Sequence, residues 1–276
     1  MKNDQHLRRL IPVTSIWHFY HFLREFPNSK LQLQIARECH RLPGRLDKMI
    51  GASALHFSRY DNREESFHSR PQNQNPARLE RYAASKDPAK RVAALAGAGQ
   101  LILQGDDSLG FEYVDYEFGP CRTTRSQHES GPGGYGPGKD TFDLLLVSRE
   151  DRDGHRLPII GEIKDGETDR NPFLALIQGL AHVVAMTTEA QRDRLDRSYP
   201  GRFDWPDGGP FVDLYLLLIN YPSGDKEQEF LELTDKLAGA LLEPGTQTSQ
   251  LVRRIACIDT ANDPPTDFSI RFIREH

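Results

Sequence analysis

The stretch that most constrains this chain runs from Phe142 to Lys164. It reads FDLLLV, a polar turn SREDRDGHRLP, then IIGEIK. An acid followed by four apolar residues predicts a strand buried on both faces. The turn around Asp153-Gly154 predicts that the chain returns as a hairpin. The second apolar run ends in Glu162-Ile163-Lys164, and alternation along a strand puts Glu162 and Lys164 on one face. With Asp143 on the neighbouring strand and facing the same way, two carboxylates and one ammonium converge. Such a set suits a hard divalent cation and an activated water. The bland alternative is a surface salt bridge at a strand end, worth little. Against it, both acids adjoin apolar strands, where an ionised side chain is costly unless paired or metal-bound.

The flanks predict further elements. Apolar residues recur at helical spacing from Ser15 to Phe26, and further helices are expected over 30–42 and 45–57, separated at Pro43-Gly44. The polar segment 58–76 reads as a linker or exposed loop. Helices follow over 77–84 and 89–103, broken at Asp87-Pro88, and GFEYVDYEF reads as a strand. Beyond Lys164, Asn171-Pro172 is an N-cap followed by a first-turn proline. The helix it starts places Phe173, Ile177, Leu180, Ala181 and Val184 on one face, with Gln178 and His182 four apart on an adjoining stripe. That helix runs on into a charged tail. FVDLYLLLIN reads as a central buried strand. Asp225 and Gln228 open a last helix with capping-box spacing, and two final strands carry Arg253, Arg254, Arg271 and Arg274, a basic end able to meet a phosphate backbone.

Asp143, an apolar strand and then Glu162-x-Lys164, within the order helix, three strands, helix, strand from about Arg91 to Asn220, resembles the PD-(D/E)xK nuclease superfamily. The resemblance covers nearly half the chain. It implies an α/β fold: a mixed central sheet flanked by helices with a restriction-endonuclease-like core, here with a helical N-terminal extension and extra C-terminal strands. Residues 1–75 would be the helical accessory region plus linker, and 76–276 the nuclease-like domain. The resemblance further implies that Asp143 and Glu162, with the Ile163 carbonyl, hold Mg²⁺ or Mn²⁺, and that Lys164 orients or activates the attacking water. Gln178 matches a supporting glutamine on the helix after the Glu-x-Lys strand, where some family members carry a tyrosine four residues on; His182 stands there instead. Many members add a glutamate from the first helix. Here Glu80 lies upstream of the break and Gln100 is the best-placed polar residue. The implied activity is metal-dependent hydrolysis of nucleic acid, DNA before RNA. The alternative is an inactive protein of this fold that binds nucleic acid or a partner protein.

Other features narrow the field. Cys39, Cys121 and Cys257 have no CxxC spacing, which argues against a zinc site or disulfide framework and for a cytoplasmic setting. No apolar run reaches the length of a membrane span, and the N-terminal residues lack a signal-peptide apolar region. A net charge of −5 requires any nucleic-acid surface to be locally basic. Gly133 to Lys139 imitates a phosphate-binding loop, but Asp140 stands where Ser or Thr is required and a strand follows, not a helix. The Gly-rich 119–140 segment reads instead as a surface loop or a flap, with Arg122, Arg125 and Lys139 available to phosphates. His18 and His21, one turn apart, fit an aromatic helix face better than a metal pair. The N-terminal helices are the expected surface for a homodimer or partner protein.

Overall fold

Among the described residues seven strands join one sheet. They are β1 (Ile102–Gln104), β2 (Phe111–Phe118), β3 (Phe142–Ser148), β4 (Pro158–Asp165), β5 (Val212–Ile219), β6 (Val252–Thr260) and β7 (Asp267–Glu275). The computed structural model describes residues 15–24, 37, 40–61, 76–104, 109–119, 141–149, 154–165, 171–261 and 267–276. The sheet is mixed and open, in the order β1-β7-β6-β5-β4-β3-β2. Strands β2, β3 and β4 form an antiparallel meander, β5 lies parallel to β4, β6 parallel to β5, and β7 antiparallel to β6. The apolar runs are buried on both faces because helices cover both.

Among the described residues the helices are α1 (Ile16–Arg24), α2 (Leu42–Asp61), α3 (Pro76–Ala83), α4 (Pro88–Gly97), α5 (Pro172–Met186), α6 (Glu189–Ser198) and α7 (Asp225–Leu241). Helix α4 packs on the sheet at β2 and β4, with α3 against it. Its side of the sheet forms one apolar cluster, with Leu144, Leu146, Ile159 and Leu217 meeting Val92 and Ala93. On the other side α5 lies on β4 and β5 and is covered in turn by α1, α2 and α7. Leu145, Val147, Ile160, Leu214 and Leu216 form the second cluster with these helices.

Several expectations shift. Helix α5 was expected to bury one face, yet every residue except Gln178 is buried. Only two of its fifteen residues, Gln178 and His182, are polar, and a helix apolar nearly all round is stable only when enclosed. Helices α1 and α2 supply the enclosure, so the described part of the N-terminal region shares the apolar core of the sheet. Leu55, 55% exposed, is the large hydrophobic left outside among the described residues.

Pro43-Gly44 does not break the chain; it lies in the first turn of α2, where proline needs no N–H partner. Helix α4 stops at Gly97 instead of continuing to Leu103. Gly99 takes φ +66 and the N–H groups of Ala98 and Gln100 close on the carbonyls of Ala94 and Leu95, a glycine-assisted helix end. The released Ile102–Gln104 pairs parallel with β7. The charged tail after α5 is a separate helix, α6, capped by Thr188 and bent by 87° from α5. Asp225 does not cap α7: Gly224 occupies that position, and Asp225 and Glu227 sit in the first turn, where the helix dipole favours them. The helix expected over 30–42 and the flap with Arg122, Arg125 and Lys139 lie almost wholly outside the described residues. Among the described residues no single helix is long and apolar enough to cross a membrane.

The seating of α5 depends on one glycine. A Cβ at Gly179 would stand 2.4 Å from Leu214 Cδ1 and 3.3 Å from its Cγ, so the whole buried side chain would have to move. Gly179→Ala is expected to destabilise the protein by about 1–3 kcal/mol, read as a lower denaturant midpoint.

Candidate active site

Strand register builds the site. Leu144 pairs with Gly161 at the end of the β3–β4 ladder, and the next residues on, Asp143 and Glu162, lie near enough to interact electrostatically. The Asp143 carboxylate accepts a hydrogen bond from the Ile163 N–H at 2.7 Å. Alternation sends the Ile163 side chain into the apolar cluster on the α4 side, while Glu162 and Lys164 face α5. Lys164 Nζ donates to Gln178 Oε1 at 2.7 Å, and His182, one turn along α5, brings Nε2 to 3.1 Å from Glu162 Oε1. The structure therefore gathers Asp143, Glu162, Lys164 and Gln178 at the end of β4 beneath α5.

The electrostatics are those of two carboxylates short of counter-charge. Glu162 is fully buried, and both its carboxylate oxygens lack a hydrogen-bond partner. Burial first, then the neighbouring Asp143, pushes its carboxyl well above the ordinary value of 4.5, against a smaller opposing pull from Lys164. Burial also raises the partly exposed Asp143, while Lys164 and the Ile163 N–H pull it back. His182 is fully buried too, and burial with the Lys164 charge lowers its pKa to about 3. By distance alone Glu162 and His182 would be an ion pair. Burial disfavours the charge on each, and neither ring nitrogen makes a hydrogen bond to the carboxylate.

Orphaned carboxylate oxygens at the bottom of a site are what a divalent cation would satisfy. Among the described residues no group of three or more His, Cys, Asp or Glu side chains could hold a metal. Asp143 and Glu162 are two donors, and a hard cation of the Mg²⁺ class takes its remaining oxygens from backbone, water or phosphate. The residues fit such an ion in donor chemistry.

Three contributions escaped the sequence. Tyr20 of α1 donates its hydroxyl to Gln178 Oε1 at 2.7 Å, across 158 residues of chain that no local pattern links. His182 looked like a helix-boundary residue, yet it is fully buried with its ring edge-on to Trp17 at 4.8 Å. Asp87 and Glu117 both add to the negative potential that raises Asp143. Glu117 lies opposite Asp143 in the β2–β3 register and holds φ +51, a conformation disfavoured for a side-chain-bearing residue. Of the proposed first-helix residues, Glu80 and Gln100 are exposed, and Gln100 lies beyond the end of α4. His18 and His21 are exposed on α1, with His21 stacked on Trp17 at 5.8 Å.

The expected basic end is corrected. Arg253 pairs with Asp213 at 2.6 Å, Arg254 with Glu275 at 2.5 Å, Arg271 with Asp259 at 2.5 Å and Arg274 with Asp235 at 2.6 Å. These arginines offset acids on neighbouring elements instead of presenting free charge to phosphate. Asp213 is fully buried, so Arg253→Ala strands a carboxylate in the core. The variant is expected to lose about 3 kcal/mol of stability, measured by urea denaturation.

Compared with models of known protein families, with curated proteins and with solved structures, the chain matches none, and its functional reading rests on the geometry of its own residues.

Proposed function

We propose that this protein is a metal-dependent nuclease that hydrolyses phosphodiester bonds, in DNA before RNA, on a restriction-endonuclease-like plan. The observation that carries the reading is Glu162, a fully buried carboxylate with two oxygens that make no hydrogen bond, beside Asp143 and two residues from a lysine on the same face. The meander β2-β3-β4, followed by α5 and a β5 parallel to β4, with α4 ahead of it, supports the fold part of the proposal.

Asp143 and Glu162 would hold Mg²⁺ or Mn²⁺, with the Ile163 carbonyl as a further oxygen. The bound cation would supply Lewis-acid stabilisation of the scissile phosphate and a lowered water pKa. Lys164, partly exposed, would orient the nucleophile and stabilise the developing negative charge. Gln178 holds the Lys164 ammonium through its side-chain oxygen. His182, fully buried, packs its ring edge against the Glu162 carboxylate, 3.1 Å from Nε2 to Oε1.

The test is cleavage of supercoiled plasmid, linear duplex, single-stranded DNA and RNA, with and without Mg²⁺ or Mn²⁺. Metal-dependent cutting of at least one substrate is the expected result. A second reading, a silent protein of this fold that binds nucleic acid or a partner, is favoured by the lack, among the described residues, of a third acidic side chain to complete the donor set. It predicts binding without turnover on every substrate in the panel.

A further inference from the structure

The amide oxygen of Gln178 accepts two hydrogen bonds, each 2.7 Å, from the Tyr20 hydroxyl and from Lys164 Nζ. We propose that Tyr20 is a positioning residue for Lys164, acting through Gln178, so that helix α1 completes a site otherwise built by β3, β4 and α5.

The chemistry of an amide explains why a third group is needed. The oxygen and nitrogen ends of a glutamine have nearly the same shape, and rotation by half a turn exchanges them. A lysine ammonium has only donors, so a flipped Gln178 would set donor against donor. Gln178 is also the one residue of α5 that is not buried, so its side chain has room to turn outward. A second donor converging on the same oxygen holds both the flip state and the plane of the amide.

Tyr20 is suited to that task because it is itself held. It is 7% exposed, its ring meets Trp17 edge-on at 5.9 Å, and Trp17 packs in turn on His182. The Arg24 guanidinium lies over the Tyr20 ring, 5.7 Å from its centroid. The hydroxyl is thus presented to Gln178 by a packed aromatic, not by a long mobile chain. An aromatic that served only to fill the core between α1 and α5 would not need its oxygen.

The effect on turnover rests on the nuclease reading, whereas the hydrogen-bond chain does not. The full-length protein, Tyr20→Phe, Gln178→Ala and the double variant are compared in two readouts, after thermal melting shows that each folds. In the first, lysines carry ¹³C-methyl labels and the Lys164 resonance is assigned by its loss in Lys164→Ala. Tyr20→Phe should move that resonance in the wild-type background and leave it unmoved when Gln178 is alanine. In the second, Tyr20→Phe should lower kcat about tenfold with KM unchanged, the effect of one lost hydrogen bond to a charged network, and should add nothing to Gln178→Ala.

A Lys164 resonance that ignores Tyr20→Phe, or that moves equally in both backgrounds, overturns the positioning role even if the protein cleaves normally. A coupled resonance in a protein that cleaves nothing supports the positioning role and sinks the nuclease reading instead.

Discussion

Lys164→Ala is expected to lower metal-dependent cleavage by about 10²- to 10³-fold, the usual consequence of removing one group that stabilises charge developing in a transition state. The same change should leave the fold nearly intact. Lys164 is partly exposed, and its hydrogen-bond partner Gln178 keeps the Tyr20 hydroxyl as a second donor. The stability loss should therefore stay within about 1 kcal/mol. Lys164 is also the cation that opposes the raised carboxyls of Asp143 and Glu162. Its removal lets both carboxyls rise further, which weakens divalent-ion binding without changing the donor set. Kinetics at saturating Mn²⁺ separate the two effects. A rate deficit that persists there belongs to the lysine's action on the reacting groups, and a rate restored by metal reduces its role to electrostatic support.

Glu162→Gln should separate function from stability in the opposite direction. In the metal-free protein the Glu162 carboxyl is held far above its ordinary value because burial and Asp143 disfavour the charge. The folded state thus keeps a proton that the unfolded state releases. Below the ordinary value of 4.5 both states are protonated and Glu162 costs nothing; as pH rises above it, stability falls until the folded carboxyl also ionises. Glutamine has the same shape and no charge. The variant should therefore match the wild type near pH 4 and exceed it by about 1–2 kcal/mol at pH 8, read as a higher melting temperature. Activity should be lost along with half of the carboxylate donors. Mg²⁺ should raise the melting temperature of the wild type and leave that of the variant unchanged. Equal stability of the two proteins at both pH values would mean that Glu162 has a partner in solution that satisfies it.

Much of this was legible in the residues. The hairpin of β3 and β4 follows from two apolar runs around a glycine turn, and Gly154 does take φ +82 there. The start of α5 follows from Asn171-Pro172, whose asparagine accepts from Phe173 and Leu174. Both are local signals, carried by a few adjacent side chains. What could not be read depends on contacts between distant segments. The enclosure of α5 by α1 and α2 turned Gln178 and His182 from boundary residues into the polar lining of the site, and nothing near either residue announces that. The end of α4 at Gly97 turned on Gly99 taking a left-handed conformation, while the small residues before it are compatible with a longer helix. The arginines of β6 and β7 looked free because their acidic partners lie on β5, α7 and each other's strand, 12 to 40 residues away.

The central claim is that Asp143 and Glu162 form a divalent-cation site, and Mn²⁺ titration by calorimetry tests it most directly. The account predicts binding to the wild type that Asp143→Asn weakens and Glu162→Gln abolishes, with both variants folded. A wild type that binds no Mn²⁺, or one whose binding survives both substitutions, would contradict it.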